Sequence, residues 1–248
     1  MVFITGDCHG NFRRFNLRYF PEQNVMDRND YMIICGDFGG VWADTPEETY
    51  WLDWLERRPF TTLFIDGNHE NFERLNSFPV HSWHGGSVHQ IRPHVLHLMR
   101  GQFYDIDGKN FFTMGGAKSH DIEDGILNPE DPDFLTKQRE LKRAGKHRFR
   151  ILGQTWWPEE LPSDEEYLTT LKRLDQANWK TDYVITHCAP SSVALVINHN
   201  HDVDALSDFL EMIDRRLNYS YWFFGHYHDN RDIDGKHLLL WEQIVQLL

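Results

Sequence analysis

Short clusters of aspartate, asparagine and histidine recur along the chain, and each follows a run of large apolar residues. GDCHG follows VFIT, GDFGG follows YMIIC, GNHE follows TLFID, HCAP follows YVIT and GHYH follows YWFF. A single cluster of this kind is usually a turn after a strand. Five in one chain are hard to explain as turns alone, because carboxylate, amide and imidazole groups also bind divalent transition metals. The candidate ligands are Asp7, His9, Asp37, Asn68, His187, His226 and His228.

Two of the clusters contain ligands that are separated by a single residue. They are Asp7 with His9, and His226 with His228. Alternate side chains of an extended chain point to the same side, so each pair can straddle a cation. The spacing therefore predicts a binuclear metal centre.

The apolar runs predict the elements that must position these ligands. Runs of four or five β-forming residues are typical of strands buried on both faces, in sheets covered by helices. Between them, Thr45 with Glu48 and Ser163 with Glu166 form capping-box patterns, and Asp202 is placed to cap a third helix. This alternation predicts an α/β fold with mixed sheets. Since ligands bind beyond the carboxyl ends of the strands in such folds, we expect all five clusters at one edge.

Further strands are predicted at residues 95–98 and in the segments QFYDI, NFFTM and HLLLWEQIV. The glycine turn between QFYDI and NFFTM predicts a hairpin. The segment HSWHGGSVHQIRPHVLHL predicts another hairpin, with partly exposed histidines rather than an additional metal site.

Composition predicts one globular domain over residues 1–248. Hydrophobic residues make up 40% and charged residues 25%, and no linker divides the chain. The net charge of −13 excludes binding of nucleic acid mainly through a broad basic face. Residues 137–150 are nevertheless basic, and we interpret them as a solvated helix face followed by a turn at Gly145.

Cysteine usage and the amino terminus predict a cytoplasmic protein. The three cysteines have no CxxC spacing, which argues against a disulfide framework or a zinc knuckle and fits a reducing compartment. The first apolar run is too short for a signal peptide or a membrane span.

The five motifs, in this order, resemble those of the calcineurin-like metallophosphoesterase family, which are GDxHG, GDxx, GNH(D/E), H and GHxH. The resemblance implies a four-layer α/β/β/α sandwich with two mixed β-sheets flanked by helices. It also implies how the ligands are shared: one metal is held by Asp7, His9 and His228, the other by Asn68, His187 and His226, and Asp37 bridges the two.

The resemblance implies a metal-dependent phosphoesterase that acts by attack of a metal-bridging hydroxide. The imidazole-rich ligand set favours two divalent transition-metal ions, Mn, Fe, Zn, Co or Ni, over magnesium or calcium. A water shared by two such ions ionises near neutral pH. His69 would protonate the leaving oxygen, as the family's GNH(D/E) histidine does; the alternative is a purely supporting role for His69.

The motifs depart from those of the phosphoserine/threonine phosphatase branch, which are GDxVDRG and RGNHE. Here Gly40 and Val41 stand at the places of the second aspartate and the arginine of GDxVDRG, and Asp66 stands at the place of the arginine of RGNHE, so both phosphate-binding arginines are absent. This departure favours phosphodiester or nucleotide-like substrates. Replacement anion contacts are expected from Arg231, Lys118 or His120.

Residues 119–162 have no counterpart in the minimal motif set. They contain the basic segment and the pair Trp156 and Trp157, and we expect them to form a cap or lid that selects the substrate, or a homodimer contact. The predicted partner is a small phosphorylated substrate, a nucleotide or short RNA. The alternatives are a phosphomonoesterase or protein phosphatase, and a catalytically silent binding scaffold on the same fold.

Overall fold

The strands of the computed structural model, which describes residues 1–199 and 202–248, supply the edge on which the five motifs lie. They run over Val2–Thr5 (β1), Tyr31–Ile34 (β2), Thr61–Phe64 (β3), Val80–Trp83 (β4), Gly86–Arg92 (β5), Val95–Leu98 (β6), Gln102–Ile106 (β7), Lys109–Met114 (β8), Gly125–Leu127 (β9), Phe149–Ile151 (β10), Tyr183–Thr186 (β11), Tyr221–Phe224 (β12), Arg231–Asp232 (β13), His237–Leu239 (β14) and Ile244–Gln246 (β15).

The helices lie between these strands. They run over Pro46–Glu56 (α1), Phe72–Asn76 (α2), Phe134–Arg143 (α3), Asp164–Gln176 (α4), Ser191–Ile197 (α5) and Ala205–Arg216 (α6), and short 3-10 turns cover Arg13–Phe15, Pro21–Val25 and Pro158–Glu160. None of the described helices is long and apolar enough to cross a lipid bilayer.

The described residues form two large mixed sheets. The first has the order β15-β1-β2-β3-β6-β5-β4 and the second the order β13-β14-β12-β11-β8-β7, while β9 and β10 pair separately. The strands β1, β2 and β3 are parallel neighbours in the first sheet, as are β11 and β12 in the second. Each of the five motifs follows one of these strands, so all five leave the sheets at carboxyl ends.

The core explains why these strands are apolar throughout. Ile33 of β2 and Ile185 of β11 belong to the cluster that fills the space between the sheets. Their neighbours Ile34 and Val184 point the opposite way, into outer clusters that contain helix α1 on one side and helices α4 to α6 on the other. Two sheets flanked by helices confirm the predicted α/β class and its sandwich arrangement.

Helix caps agree with the sequence in two cases out of three. Ser163 and Glu166 form the predicted reciprocal box, and Thr45 accepts a hydrogen bond from the Glu48 amide. The third prediction is wrong, because helix α6 is capped by Asp204, whose carboxylate accepts from two backbone amides. Asp202 lies before the helix and forms an ion pair with Lys118.

The segment HLLLWEQIV is not one strand. It divides into β14 and β15, which belong to different sheets. Between them the Gly6 amide donates to the Trp241 carbonyl oxygen at 3.0 Å, and the Trp241 amide donates to the Asn230 side chain at 2.8 Å. These contacts draw the chain out of the second sheet and across to the first.

The histidine-rich segment forms the predicted hairpin as β4 and β5 and continues into β6, and its histidines are not all exposed. His81 and His84 are exposed, whereas His89 and His97 are buried with their rings stacked and their Nδ1 atoms 2.9 Å apart. Burial, together with the neighbouring His97, lowers the pKa of His89 to about 4. The Nε2 atom of His97 lies 3.1 Å from the Asp66 carboxylate, so the prediction of partial exposure is wrong for this pair.

Asp66 also forms a buried ion pair with Arg100. The Nε atom of Arg100 lies 2.8 Å from Asp66 Oδ2, and both side chains are almost fully buried. Burial alone would raise the pKa of Asp66, but Arg100 and His97 outweigh it and hold that pKa well below its ordinary value. The resulting stabilisation is complete above about pH 4 and is lost only as the pH falls through the folded-state pKa.

We expect Arg100→Met to lower the free energy of unfolding by about 3–5 kcal/mol, because it leaves the Asp66 carboxylate buried without its cation. Urea unfolding at neutral pH measures the change. Arg92→Met is the matched control: its partner Asp53 is half exposed, so the loss should stay below about 1 kcal/mol. Equal losses of unfolding free energy for the two variants would contradict a stabilising role for the buried Asp66–Arg100 pair.

Candidate metal centre

The two aspartates of the first motifs lie close together at the strand ends. Both are buried, with 1% of their surface exposed. The Nε2 atom of His9 lies 3.7 Å from Asp7 Oδ2 and 3.6 Å from Asp37 Oδ2, and His187 Nε2 lies 3.4 Å from Asp37 Oδ1. The structure thus brings residues from both sheets together at one edge.

One group of side chains surrounds Asp7. The Nε2 atom of His228 lies 3.1 Å from Asp7 Oδ2 and 3.0 Å from His9 Nε2. The approach of His228 lacks hydrogen-bond geometry, and Asp7 Oδ2 is buried without a hydrogen-bond donor. The ligand atoms of Asp7, His9 and His228 all lie within 4.8 Å of one another, which is close enough for one cation.

A second group surrounds His187. Its Nδ1 donates to the Cys35 carbonyl oxygen at 2.7 Å, which leaves Nε2 directed at Asn68 Oδ1, 3.3 Å away. The ring of His226 lies 5.0 Å from that of His187. Asp7, Asp37 and His187 form the other set with ligand atoms within 4.8 Å.

The backbone is strained where it carries these side chains. Four candidate ligands have positive φ angles, a region that costs residues other than glycine about 1–3 kcal/mol each. They are His9 at 47°, Asp37 at 46°, His226 at 70° and His228 at 50°. The strained turns aim consecutive side chains into one pocket, and the rigid sheets hold them there.

Glycines in the motifs make room for the carboxylates. A Cβ atom on Gly225 would lie 2.1 Å from Asp7 Oδ1, and one on Gly67 would lie 2.0 Å from Asp37 Oδ1. The GNHE and GHYH motifs therefore need glycine because an aspartate from another strand packs directly on the backbone.

Two residues outside the candidate ligand set hold the loops in place. Glu70, the last residue of GNHE, is fully buried and accepts from the Phe38 amide at 2.7 Å, next to Asp37. Arg14 donates to the Asp7 carbonyl oxygen at 2.7 Å. Glu70 could be found from its motif, whereas no pattern in the sequence distinguishes Arg14.

Opposite charges shift the pKa values of Asp37 and His187 against the effect of burial. Burial would raise the pKa of Asp37, but His187 outweighs it and holds that pKa well below its ordinary value. Burial would also lower the pKa of His187, yet Asp37 and Asp7 raise it to about 10. At neutral pH His187 is therefore protonated and neutralises part of the charge on the two carboxylates.

The predicted substrate contacts are only partly at the site. His120 lies beside it, with Nε2 2.8 Å from His226 Nε2. Lys118 is near but pairs with Asp202 at 2.5 Å. Arg231 lies on the exposed edge strand β13, and its side chain forms no ion pair with any described residue.

A cleft of about 720 Å³ opens beside His226 and His228. Its basic residues include Lys118 and Arg148, and Arg148 Nη1 lies 2.8 Å from Glu123. Each of these cations already faces a carboxylate, so a substrate phosphate would have to compete for it.

Residues 119–162 pack against this edge. The ring of Trp157 lies 5.5 Å from that of Trp42, in the loop that follows Asp37. The hydroxyl of Ser119 accepts from the Asn68 amide nitrogen at 3.2 Å. Helix α3 has no buried residue and Gly145 has a φ of 71°, as expected for a solvated face that ends in a turn.

Comparison with known proteins agrees with this geometry. The profile of the calcineurin-like phosphoesterase family matches residues 1–230. The lariat debranching enzyme of Danio rerio is 22% identical over 253 residues, covering 92% of this chain and 40% of that protein. The lariat debranching enzyme of Homo sapiens is 26% identical over 140 residues, covering 50% of this chain and 24% of that protein. The chain spans less than half the length of these curated relatives.

We expect binding of a divalent cation to release a proton, because a cation on Asp7 and Asp37 must displace the proton that their charge holds on His187. Since the pKa of His187 is about 10, the affinity should rise from about pH 6 to about pH 8. Calorimetric titration with Mn²⁺ in two buffers of different ionisation enthalpy measures the protons released. Equal heats in both buffers, with an affinity independent of pH, would contradict this electrostatic picture.

Proposed function

The chain belongs to the calcineurin-like phosphoesterase family, and on that basis we propose that it is a metal-dependent phosphodiesterase acting on nucleotide-like or short RNA substrates. The observation that carries the proposal is the buried pair Asp7 and Asp37, with histidine nitrogens from both sheets within 4 Å of the carboxylates.

The donor set fits two divalent transition-metal ions. Asp7 Oδ2 is buried and lacks a hydrogen-bond donor, and His187 Nε2 is directed into the site by its Nδ1 contact. In the proposed assignment Asp37 would help to hold both ions. One ion would be held by Asp7, His9 and His228, and the other by Asn68, His187 and His226. When bound, the ions would supply positive charge at the phosphate and lower the pKa of a water.

The chain holds the two buried carboxylates in fixed orientations. The two carboxylates are fixed by backbone donors, because the His226 amide lies 3.0 Å from Asp7 Oδ1 and the His69 amide lies 2.8 Å from Asp37 Oδ1. Fixed donors and acceptors need no rearrangement as charge develops on the phosphate. The exposed side of the site, at His9 and His228, is left for the substrate.

We assign His69 as the general acid that donates a ring proton to the leaving oxygen. Its ring lies 5.6 Å from that of His9 and is partly exposed at the same edge. Burial lowers the pKa of His69, an effect that Asp37 partly opposes. The hydrogen bond from His69 to the Asp37 carboxylate comes from the backbone amide, so replacing the ring leaves that hydrogen bond in place.

Two observations favour a diester over a monoester. The cations beside the site are paired with carboxylates, which leaves little protein charge to bind the second charge of a monoester. The relatives are named lariat debranching enzymes, a name that supports cleavage of a branched diester. We further propose that residues 119–162 form a cap that selects the substrate. His120 and Arg148 of this cap, together with Lys118 just before it, would line its wall.

Replacing His69 by alanine should slow hydrolysis of esters with poor leaving groups by about 10²–10⁴-fold and leave nitrophenolate esters much less affected. As the pH rises through the lowered pKa of His69, its ring loses the proton that it would donate. The wild-type rate on a poor leaving group should therefore fall over that range. Kinetic comparison of an alkyl and a nitrophenyl ester measures both effects, and equal losses on the two esters would assign His69 a supporting role.

Protein stripped by a chelator and reloaded with Mn²⁺, Ni²⁺ or Zn²⁺ should hydrolyse bis-nitrophenyl phosphate faster than mono-nitrophenyl phosphate. Asp37→Asn should abolish this activity, whereas Asp53→Asn on the surface should retain it. Faster hydrolysis of the monoester would indicate a phosphomonoesterase, and no hydrolysis of either by loaded protein would indicate a binding scaffold. A panel of nucleotides, cyclic nucleotides and short RNAs would then identify the substrate class.

A further inference from the structure

Asn68 is the one candidate ligand whose side chain has two chemically different ends of nearly equal size. Its oxygen can bind a cation, but its NH₂ group cannot. The residue is buried, with 6% of its surface exposed, and Oδ1 lies 3.3 Å from His187 Nε2. Some neighbour must therefore distinguish the two orientations of the amide.

Ser119 and Glu160 make this distinction through the direction of their hydrogen bonds. Asn68 Nδ2 donates to Ser119 Oγ at 3.2 Å, and Ser119 Oγ donates to Glu160 Oε2 at 2.6 Å. A carboxylate only accepts hydrogen bonds, so the single hydroxyl proton of Ser119 is committed to Glu160. The hydroxyl then has only lone pairs left for Asn68, and these accept from NH₂ but would repel the amide oxygen.

The chain of hydrogen bonds from Asn68 through Ser119 to Glu160, which we call the relay, is shielded from water. Ser119 and Glu160 are exposed by only 4% and 2% of their surface. Glu160 Oε1 accepts from the Ser119 amide at 3.2 Å, and its carbonyl oxygen accepts from the Ala117 amide at 3.1 Å, so its position is fixed on both sides. A misplaced amide would leave buried polar groups without hydrogen-bond partners, which is unfavourable.

We propose that Ser119 and Glu160 are positioning residues that hold the Asn68 amide with its oxygen toward the cation site. The inference rests on the proposed function, because it assigns Asn68 to metal binding. It also gives the segment 119–162 a second role, since Ser119 and Glu160 come from its two ends. The packing of this segment against the site would therefore affect the affinity of the site for a metal ion.

Calorimetric titration of the full-length, chelator-stripped protein with Mn²⁺ tests the relay. Ser119→Ala removes the hydroxyl that accepts from the Asn68 NH₂ group. Glu160→Gln introduces an amide that can itself donate to Ser119, so the hydroxyl proton can point toward Asn68 instead. Each should weaken one of two binding events by about 10–100-fold and leave the other unchanged. Ser119→Thr, which keeps the hydroxyl, should bind Mn²⁺ like the wild type.

Ser191→Ala is the matched control. It removes another buried serine whose hydroxyl donates to a carboxylate, that of Asp208 at 2.7 Å, so it should cost similar stability without changing Mn²⁺ affinity. If Ser119→Ala and Glu160→Gln bind Mn²⁺ as tightly as Ser191→Ala does, the relay is wrong.

A readout that does not involve Mn²⁺ separates the relay from the proposed function. In the NMR spectrum of stripped protein, hydrogen exchange of the Asn68 side-chain NH₂ should be slow in the wild type and fast in Ser119→Ala. A wild-type protein that binds no Mn²⁺ would contradict the proposed function, and equal exchange in the two proteins would contradict the relay.

Discussion

The burial of two carboxylates at one point is the constraint on which the rest of the site depends. Asp7 and Asp37 are almost fully excluded from water, and removing such ions from water costs several kcal/mol each. Part of this cost is offset by backbone amides of His226 and His69, and part by the charge that His187 carries. The remaining negative charge favours a cation at this edge.

The fold keeps this arrangement rigid by building it on strand ends. The apolar strands are packed on both faces, so their carboxyl ends cannot move far without disturbing a core. The strain in the positive-φ turns is sustained by that packing, and Gly67 and Gly225 allow neighbouring strands to approach the aspartates. Stability in the core thus maintains an unfavourable local geometry that serves the site.

The sequence predicts the parts that depend on local pattern and misses those that depend on distant contacts. Five short apolar runs that end in polar motifs were enough for the fold class and for the edge of the site. The division of HLLLWEQIV follows from a contact between Gly6 and Trp241, and burial of His89 follows from stacking across two strands. Ser119 and Glu160 are 41 residues apart, so no periodicity connects them.

The most direct test of this account is anomalous diffraction from crystals of the protein grown with Mn²⁺. The account predicts two anomalous peaks on either side of the Asp37 carboxylate, one beside Asp7 and His228 and the other beside Asn68 and His187. No peak at Asp37 in crystals with Mn²⁺ bound elsewhere would contradict it.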